Sequence, residues 1–554
     1  MLKKTDPRLV LFALFVLIVF IPLSRSQAGT SSSAGASGQS QWVALGSVPD
    51  GLEAEESYRF LEMFPADYEE IAILHASDAQ TVDYFGVSVA ISGDTLVVGA
   101  YLQDGNPGDP LPDSGAAYIF ERDLGGANYW GEVIKLTASD AQASDYFGRA
   151  VALSGDTLVV GAYGGGDAGA VYVFERDFGG IGGWGEAARL TASDAQGGDQ
   201  FGISVAIIGD TLVVGAPNED GGPGKPIIGA GAVYIFERNL GGAGNWGEAA
   251  KLTASDAQAF DLFGGSLAVS VDTIVVGAIQ EDGGPGDPYP YAGAVYVFER
   301  NLGGTGSWGE AVILHASDAQ ASGYFGASVA TSGDTLVVGA YGEDGNPRNP
   351  LPWAGAVYVF ERDLGNMDTW MEAARLTASD AQEHDLFGYS VVISGDTLVI
   401  GAFGEDGGSG GPLPEVGAAY VFERDLRGPG NWRQAAVLYA SDGQQWDSFG
   451  ESVALGEDTL VIGAIFEAGG PGDPLPAAGA VYVFQAVQSD PTPMPTTTPT
   501  PRPTRTPFGD GTVTPTSTTP PRGTATVTPM STPRPTRTPL LFMPEWLWPM
   551  VDGD

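Results

Sequence analysis

The sequence predicts an all-β fold: a seven-bladed β-propeller of four-stranded blades, closed by an N-terminal strand that completes the last blade. Three observations carry this expectation. A Phe-Gly pair recurs seven times, at Phe85, Phe147, Phe201, Phe263, Phe325, Phe387 and Phe449, spaced 62 residues apart with one interval of 54. Each unit but the last holds four short apolar runs punctuated by glycine, a pattern that opposes helix and suits strands. The last unit lacks its fourth run, and a matching run stands before the first Phe-Gly.

Each element follows from local chemistry. SVAIS (88–92) is the first strand, and Gly93-Asp94 makes a two-residue turn into TLVVGA (95–100). Val271-Asp272 and Glu457-Asp458 stand at that turn in two other units, so it tolerates substitution. A long Gly/Pro/Asp loop leads to the third strand, GAAYIFER (115–122), and a loop carrying Trp130 leads to the fourth, EVIKLTAS (132–139). The short interval comes from the second unit, where VVGAYGGGDAGAVYVF (159–174) has a loop eight residues shorter than VVGAYGEDGNPRNPLPWAGAVYVF (337–360).

The second and third strands are apolar on both faces, because residues alternate sides along a strand and VYVF offers Val to one side and aromatics to the other. A sandwich would leave one face polar, whereas blades stacked around an axis are covered on both. Gly99-Ala100 and Gly115-Ala116 leave room for neighbouring backbones to approach. The seventh unit ends at GAVYVFQ (479–485), and EEIAILHAS (69–77) supplies the missing strand, which closes the ring and removes two exposed edges.

The ends lie outside this array. Residues 1–28 read as an export signal, with Lys3, Lys4 and Arg8, an apolar run over 9–23 and the small residues Ser26 and Ala28. Residues 29–68 are a low-complexity linker and an unassigned segment, and the propeller spans 69–488. Residues 489–539 form a disordered Pro/Thr-rich stalk, which at ~3.1 Å per residue reaches on the order of 160 Å. A short apolar tail, 540–554, follows.

These repeats resemble FG-GAP repeats, the units of the integrin α-chain β-propeller, here of bacterial secreted type. FG at 85–86, VVGA at 97–100 and GAVYVF at 169–174 carry the resemblance, with counterparts in all seven units. It implies a propeller outside the cell that recognises other macromolecules. Many units of that family hold calcium in a DxDxDG-type loop between their first and second strands. Here only the Gly93-Asp94 turn and its equivalents occupy that place, too short to wrap an ion that needs six to eight oxygens. The family's calcium sites are therefore not carried over, and no Arg-Gly-Asp motif occurs.

Composition narrows the function. The formal net charge is −44, which repels a nucleic-acid backbone, and the chain has no cysteine for disulfides, thiolate chemistry or cysteine zinc sites. Loops after the second strand and between blades share one face, and it is acidic in nearly every unit, with Asp78 and Asp83 the first of several such pairs. These aspartates read either as turn caps or as a negative surface for cations and basic partners. Asp104, Asp109, Asp282 and Asp287 in the long loops are weak calcium candidates; no other cofactor is expected. Tyr101, Tyr289, Tyr291, Tyr341, Trp353 and Phe403 lie in loops where the copies differ, and are the candidate ligand face; packing within that face is the other reading. The six tryptophans Trp130, Trp184, Trp246, Trp308, Trp370 and Trp432 recur once per unit and read as structural.

No catalytic residues are assigned. His75 and His315 stand where other units have Thr or Tyr439, and His384 lies in a between-blade loop, so no Ser-His-Asp set or metal-binding histidine cluster emerges. The expectation is a secreted or cell-surface recognition or adhesion module, monomeric and not an enzyme, binding an extracellular protein or glycan. Nucleic acid is not a partner, and a membrane is one only if the leader stays uncleaved as an anchor. The alternatives are an extracellular polysaccharide hydrolase or lyase and an envelope or matrix scaffold.

Overall fold

A computed structural model describes residues 67–487, apart from short stretches within their loops, and Met543–Pro544. The expected export signal, the Pro/Thr stretch 489–539, Asp287 and the rest of the tail lie outside the described residues.

The described chain forms seven four-stranded antiparallel blades. In blade 1 the strands run outward from the axis as Ser88–Ser92, Thr95–Ala100, Ala116–Arg122 and Trp130–Leu136. The innermost strands touch one another in sequence, and that of blade 7 returns to that of blade 1. Blade 7 takes its outer strand from the front of the array: Asp67–Leu74 pairs antiparallel with Ala480–Val487. Met543–Pro544 pairs with Leu267 and Ser266 along the free edge of the innermost strand of blade 4.

The core repeats with the sequence. All six residues of Thr95–Ala100 are buried, as are Ala116 to Phe120 in the next strand. Phe85 of the Phe-Gly pair is fully buried and meets the edges of Tyr118 and Phe120, with centroids 5.4 and 6.0 Å apart. Burying each such ring stabilises the fold by about 1.5–3 kcal/mol.

Two glycines let the blades approach. A Cβ on Gly99 would overlap the carbonyl oxygen of Gly148 in blade 2. Gly115 sits at φ +82, and its Cβ would strike the Phe147 backbone. The seams are then tied by side chains. Ser88 Oγ donates to the Gly148 carbonyl at 2.9 Å, and five other seams have the same bond; blade 2 has Ala150 at that position.

Strand boundaries differ from the sequence expectation: the closing strand is Asp67–Leu74 and not 69–77. The outer strand begins at Trp130 and ends at Leu136, so Trp130 belongs to the strand and not to the loop before it. It pairs with Arg122, whose guanidinium carbon lies 5.2 Å from the indole centroid. This cation–π contact and burial of the ring hold the tryptophan in the ladder. Arg176 over Trp184, Arg238 over Trp246, Arg300 over Trp308, Arg362 over Trp370 and Arg424 over Trp432 repeat the arrangement, consistent with a structural role.

Candidate functional site at the channel mouth

Most acidic groups of the loop face are occupied in building it. Asp78 accepts from the Tyr118 hydroxyl at 2.7 Å and pairs with Lys135 at 2.7 Å. Its equivalents accept from the same tyrosine of their own blade, for example Asp194 from Tyr234 and Asp442 from Tyr482. Asp83 is buried and accepts from the Gln80 backbone N–H at 2.7 Å. Burial pushes its carboxyl, and that of Asp261, up to about 6, and that of Asp385 up to about 7. These residues therefore cap turns and fasten blades, the first of the two readings.

The calcium candidates have local roles too. Asp104 accepts from the Asp113 N–H, and Asp282 from the Tyr291 N–H, both at 3.0 Å. Asp109 pairs through its backbone with Asn106 in a two-residue ladder. Among the described residues no three acidic or histidine side chains gather as a metal would require. The glutamates beside them are also committed: Glu281 is buried and accepts from the Gly283 and Gly284 N–H groups, both at 2.8 Å. His75 and His315 lie 3.6 and 3.7 Å from Glu467 and Glu281. That buried glutamate was visible as the repeated Glu of the long loops, yet sequence reasoning did not assign it.

The candidate aromatics fall into two arcs around the mouth of the central channel. In the first, Tyr101 of blade 1 joins Tyr84 at 5.8 Å and Tyr146 at 6.1 Å; Tyr84 meets Phe466 of blade 7, and Tyr146 stacks on Tyr163 at 4.8 Å. In the second, Tyr324 of blade 5 stacks on Tyr341 at 5.2 Å and contacts Tyr291 and Trp353. Tyr341 reaches Tyr389 of blade 6 at 5.6 Å, and Tyr389 packs edge-on against Phe403 at 4.5 Å. The structure thus brings Tyr291, Tyr341, Trp353 and Phe403 together and puts Tyr101 in the other arc. Tyr289 is exposed and makes no ring contact among those described.

The arcs are made by a position that sequence reasoning passed over. The residue before Phe-Gly is Tyr84, Tyr146, Gln200, Leu262, Tyr324, Leu386 or Ser448, and several of these carry positive φ. The residue just after the pair directly precedes the innermost strand in blades 1, 3, 5 and 6 and is the third residue of that strand in blades 2, 4 and 7. It is Val87, Arg149, Ile203, Gly265, Ala327, Tyr389 or Glu451. Such variation between otherwise copied units was the available signal.

Three of these residues form a polar cluster. Glu451 Oε1 accepts from the Tyr389 hydroxyl at 3.1 Å. Arg149 lies over the Tyr101 ring, 4.9 Å from its centroid, and its charge acts on both Glu451 and Tyr389. Burial pushes the Glu451 carboxyl up to about 7, against the opposing pull of Arg149 and the Tyr389 hydrogen bond. Tyr389 is held well above the usual phenol range by burial and by Glu451. The cluster joins a guanidinium, a carboxyl and a phenol beside the aromatic arcs.

The chain is similar to the periplasmic gluconolactonase PpgL of Pseudomonas aeruginosa, with 15% identity over 67% of this chain and 88% of that one and a TM-score of 0.41. Comparison with curated proteins gives no match. The FG-GAP repeat family model matches residues 68–120, 130–174, 184–236, 246–298, 308–360, 370–422 and 432–484. Seven matched repeats, each running from one blade's outer strand through the inner three strands of the next, make this chain a member of the FG-GAP repeat family.

Proposed function

We propose that this protein is a non-catalytic recognition module, secreted or held at the cell surface, that binds an extracellular protein or glycan through the loop face of its propeller. The observation that carries this reading is where the seven copies diverge. Core strands, seam serines and stacked tryptophans repeat almost unchanged, whereas the residues around the channel mouth change identity from blade to blade. A scaffold needs no such divergence, and a rigid ring that presents differing loops suits selective contact. The N-terminal leader and the Pro/Thr stretch fit export and display away from an attachment point.

A binding screen of the purified full chain against extracellular proteins and glycans, with and without calcium, tests this reading. A saturable ligand whose binding is weakened by Trp353→Ala, but not by Leu124→Ala in a third-to-fourth-strand loop of the opposite face, supports it. Absence of any saturable ligand, or turnover of a bound polysaccharide, contradicts it.

A further inference from the structure

We infer that the central channel is a strand-addition site and that this chain's own C-terminal segment, residues 540–550, is its occupant, joining the innermost strand of blade 4 as a fifth strand. The inference goes beyond the recognition reading and does not depend on it.

The innermost strand of a blade has a neighbour on one side only, so its other edge turns unpaired N–H and C=O groups toward the axis. Among the described residues that edge is paired in blade 4, where Met543 stands opposite Leu267 and Pro544 opposite Ser266 in an antiparallel ladder. The same two residues come within 8 Å, Cα to Cα, of the innermost strands of blades 2, 3, 5, 6 and 7. A segment that near six of seven innermost strands lies in the channel. Main-chain pairing of this kind attaches an extended peptide to a sheet edge.

Blade 4 is also the blade with glycine after its Phe-Gly pair. Gly265 is the third residue of its innermost strand, where the same strands of blades 2 and 7 carry Arg149 and Glu451. Glycine within a strand suits the close approach of another backbone. The propeller's own packing does not call for it, since a Cβ on Gly265 would meet nothing nearer than the Leu262 carbonyl oxygen at 3.4 Å.

The tail's chemistry fits the place. LLFMPEWLWPM has one ionisable side chain, Glu545, in a chain of net charge −44, and leaving such a segment in water is costly. Pro544 has no N–H, so it suits a strand that ends a sheet rather than one that recruits a further strand. The 55 residues from 488 to 542 reach on the order of 170 Å at ~3.1 Å each, whereas four strands at ~4.8 Å put the axis roughly 20 Å from a blade's outer strand. A tether of that length raises the local concentration of the chain's own tail above that of a second copy.

Distance measurement between two spin labels on the full chain tests the inference. The chain has no cysteine, so Glu545→Cys and Val271→Cys take the labels alone; Val271 is 67% exposed in the turn after the blade 4 strand. A seated tail predicts one narrow distribution near about 20 Å, six strand residues at ~3.4 Å each. A broad distribution overturns the inference. A narrow distribution that appears only between two singly labelled chains puts the tail in a second copy and overturns it as well. If the labelled variant fails to fold, hydrogen exchange carries the test. In a full-length variant with residues 540–550 replaced by Gly and Ser, exchange within Phe263–Val269 should quicken about tenfold or more while that of Ser88–Ser92 stays at the parent rate. Equal exchange of Phe263–Val269 in variant and parent leaves the channel edge without its strand and overturns the inference.

Discussion

Ser441 and Glu70, 371 positions apart in sequence, make the latch that joins blade 6 to the outer strand of blade 7. The Ser441 hydroxyl donates to Glu70 Oε1 at 2.6 Å and its backbone N–H to Oε2 at 3.0 Å. Five other serine–glutamate pairs repeat this geometry between consecutive blades, from Ser77–Glu132 to Ser317–Glu372, and Ser379 uses Gln434. Around the ring the contact is the same whether the partners lie 55 or 371 residues apart, so the N-terminal strand substitutes fully for a local one. Glu70→Ala should lower stability by about 1 kcal/mol. Thermal melts of this variant and of Glu248→Ala should shift by similar amounts; a silent Glu70→Ala beside a damaging Glu248→Ala would show that the closing seam is not engaged.

The glycines at the seams set a sharper limit. Gly99→Ala introduces a methyl where the Gly148 carbonyl already stands, so backbone must move; a loss of about 3 kcal/mol or more is expected. Gly93→Ala meets nothing within 4 Å and has only its φ of +58 to contend with, for about 1 kcal/mol. Denaturant titration of both checks the ranking. Equal effects would contradict the close approach of blades 1 and 2.

Acid should stabilise the propeller. Burial raises the folded-state values of Glu343 to about 8, of Asp385 and Glu451 to about 7, and of Asp83 and Asp261 to about 6. Their unfolded values lie near 4, so the folded state binds more protons between about pH 4 and 8, and stability falls as pH rises through that window. The excess negative charge acts in the same direction. Melting temperature should therefore climb between pH 8 and pH 5; a flat or falling profile would count against these buried carboxyls.

Glu451 should cost the fold stability. Glu451→Val restores the residue type of blade 1 and removes a buried carboxyl, so the melting temperature at pH 8 should rise by a few degrees. A variant less stable than the parent would make Glu451 structural.

The fold was legible because the repeat displays its own physics. Phe85, Gly99 and Tyr118 recur since every seam buries the same ring, needs the same close approach and ties the same hydroxyl to Asp78. Closure was readable from the missing last strand. The start of the outer strand was misplaced because Trp130 follows glycines in sequence, while its attachment to Arg122 is a tertiary contact. The site was legible in part. Tyr101, Tyr341, Trp353 and Phe403 stood out as loop aromatics, but Arg149, Tyr389 and Glu451 each look like one odd residue in an inner strand. Only the circular arrangement brings blades 2, 6 and 7 to one axis, and a linear reading of repeats does not display that convergence.

Deleting the strand Asp67–Leu74 and following the thermal melt tests the closed ring most directly. The account predicts loss of the single cooperative transition, since blade 7 would expose the edge of Ala480–Val487 and the Ser441 latch would have no partner. A truncated chain that melts with the parent's midpoint and cooperativity would contradict closure and, with it, the assignment of loops to the recognition face.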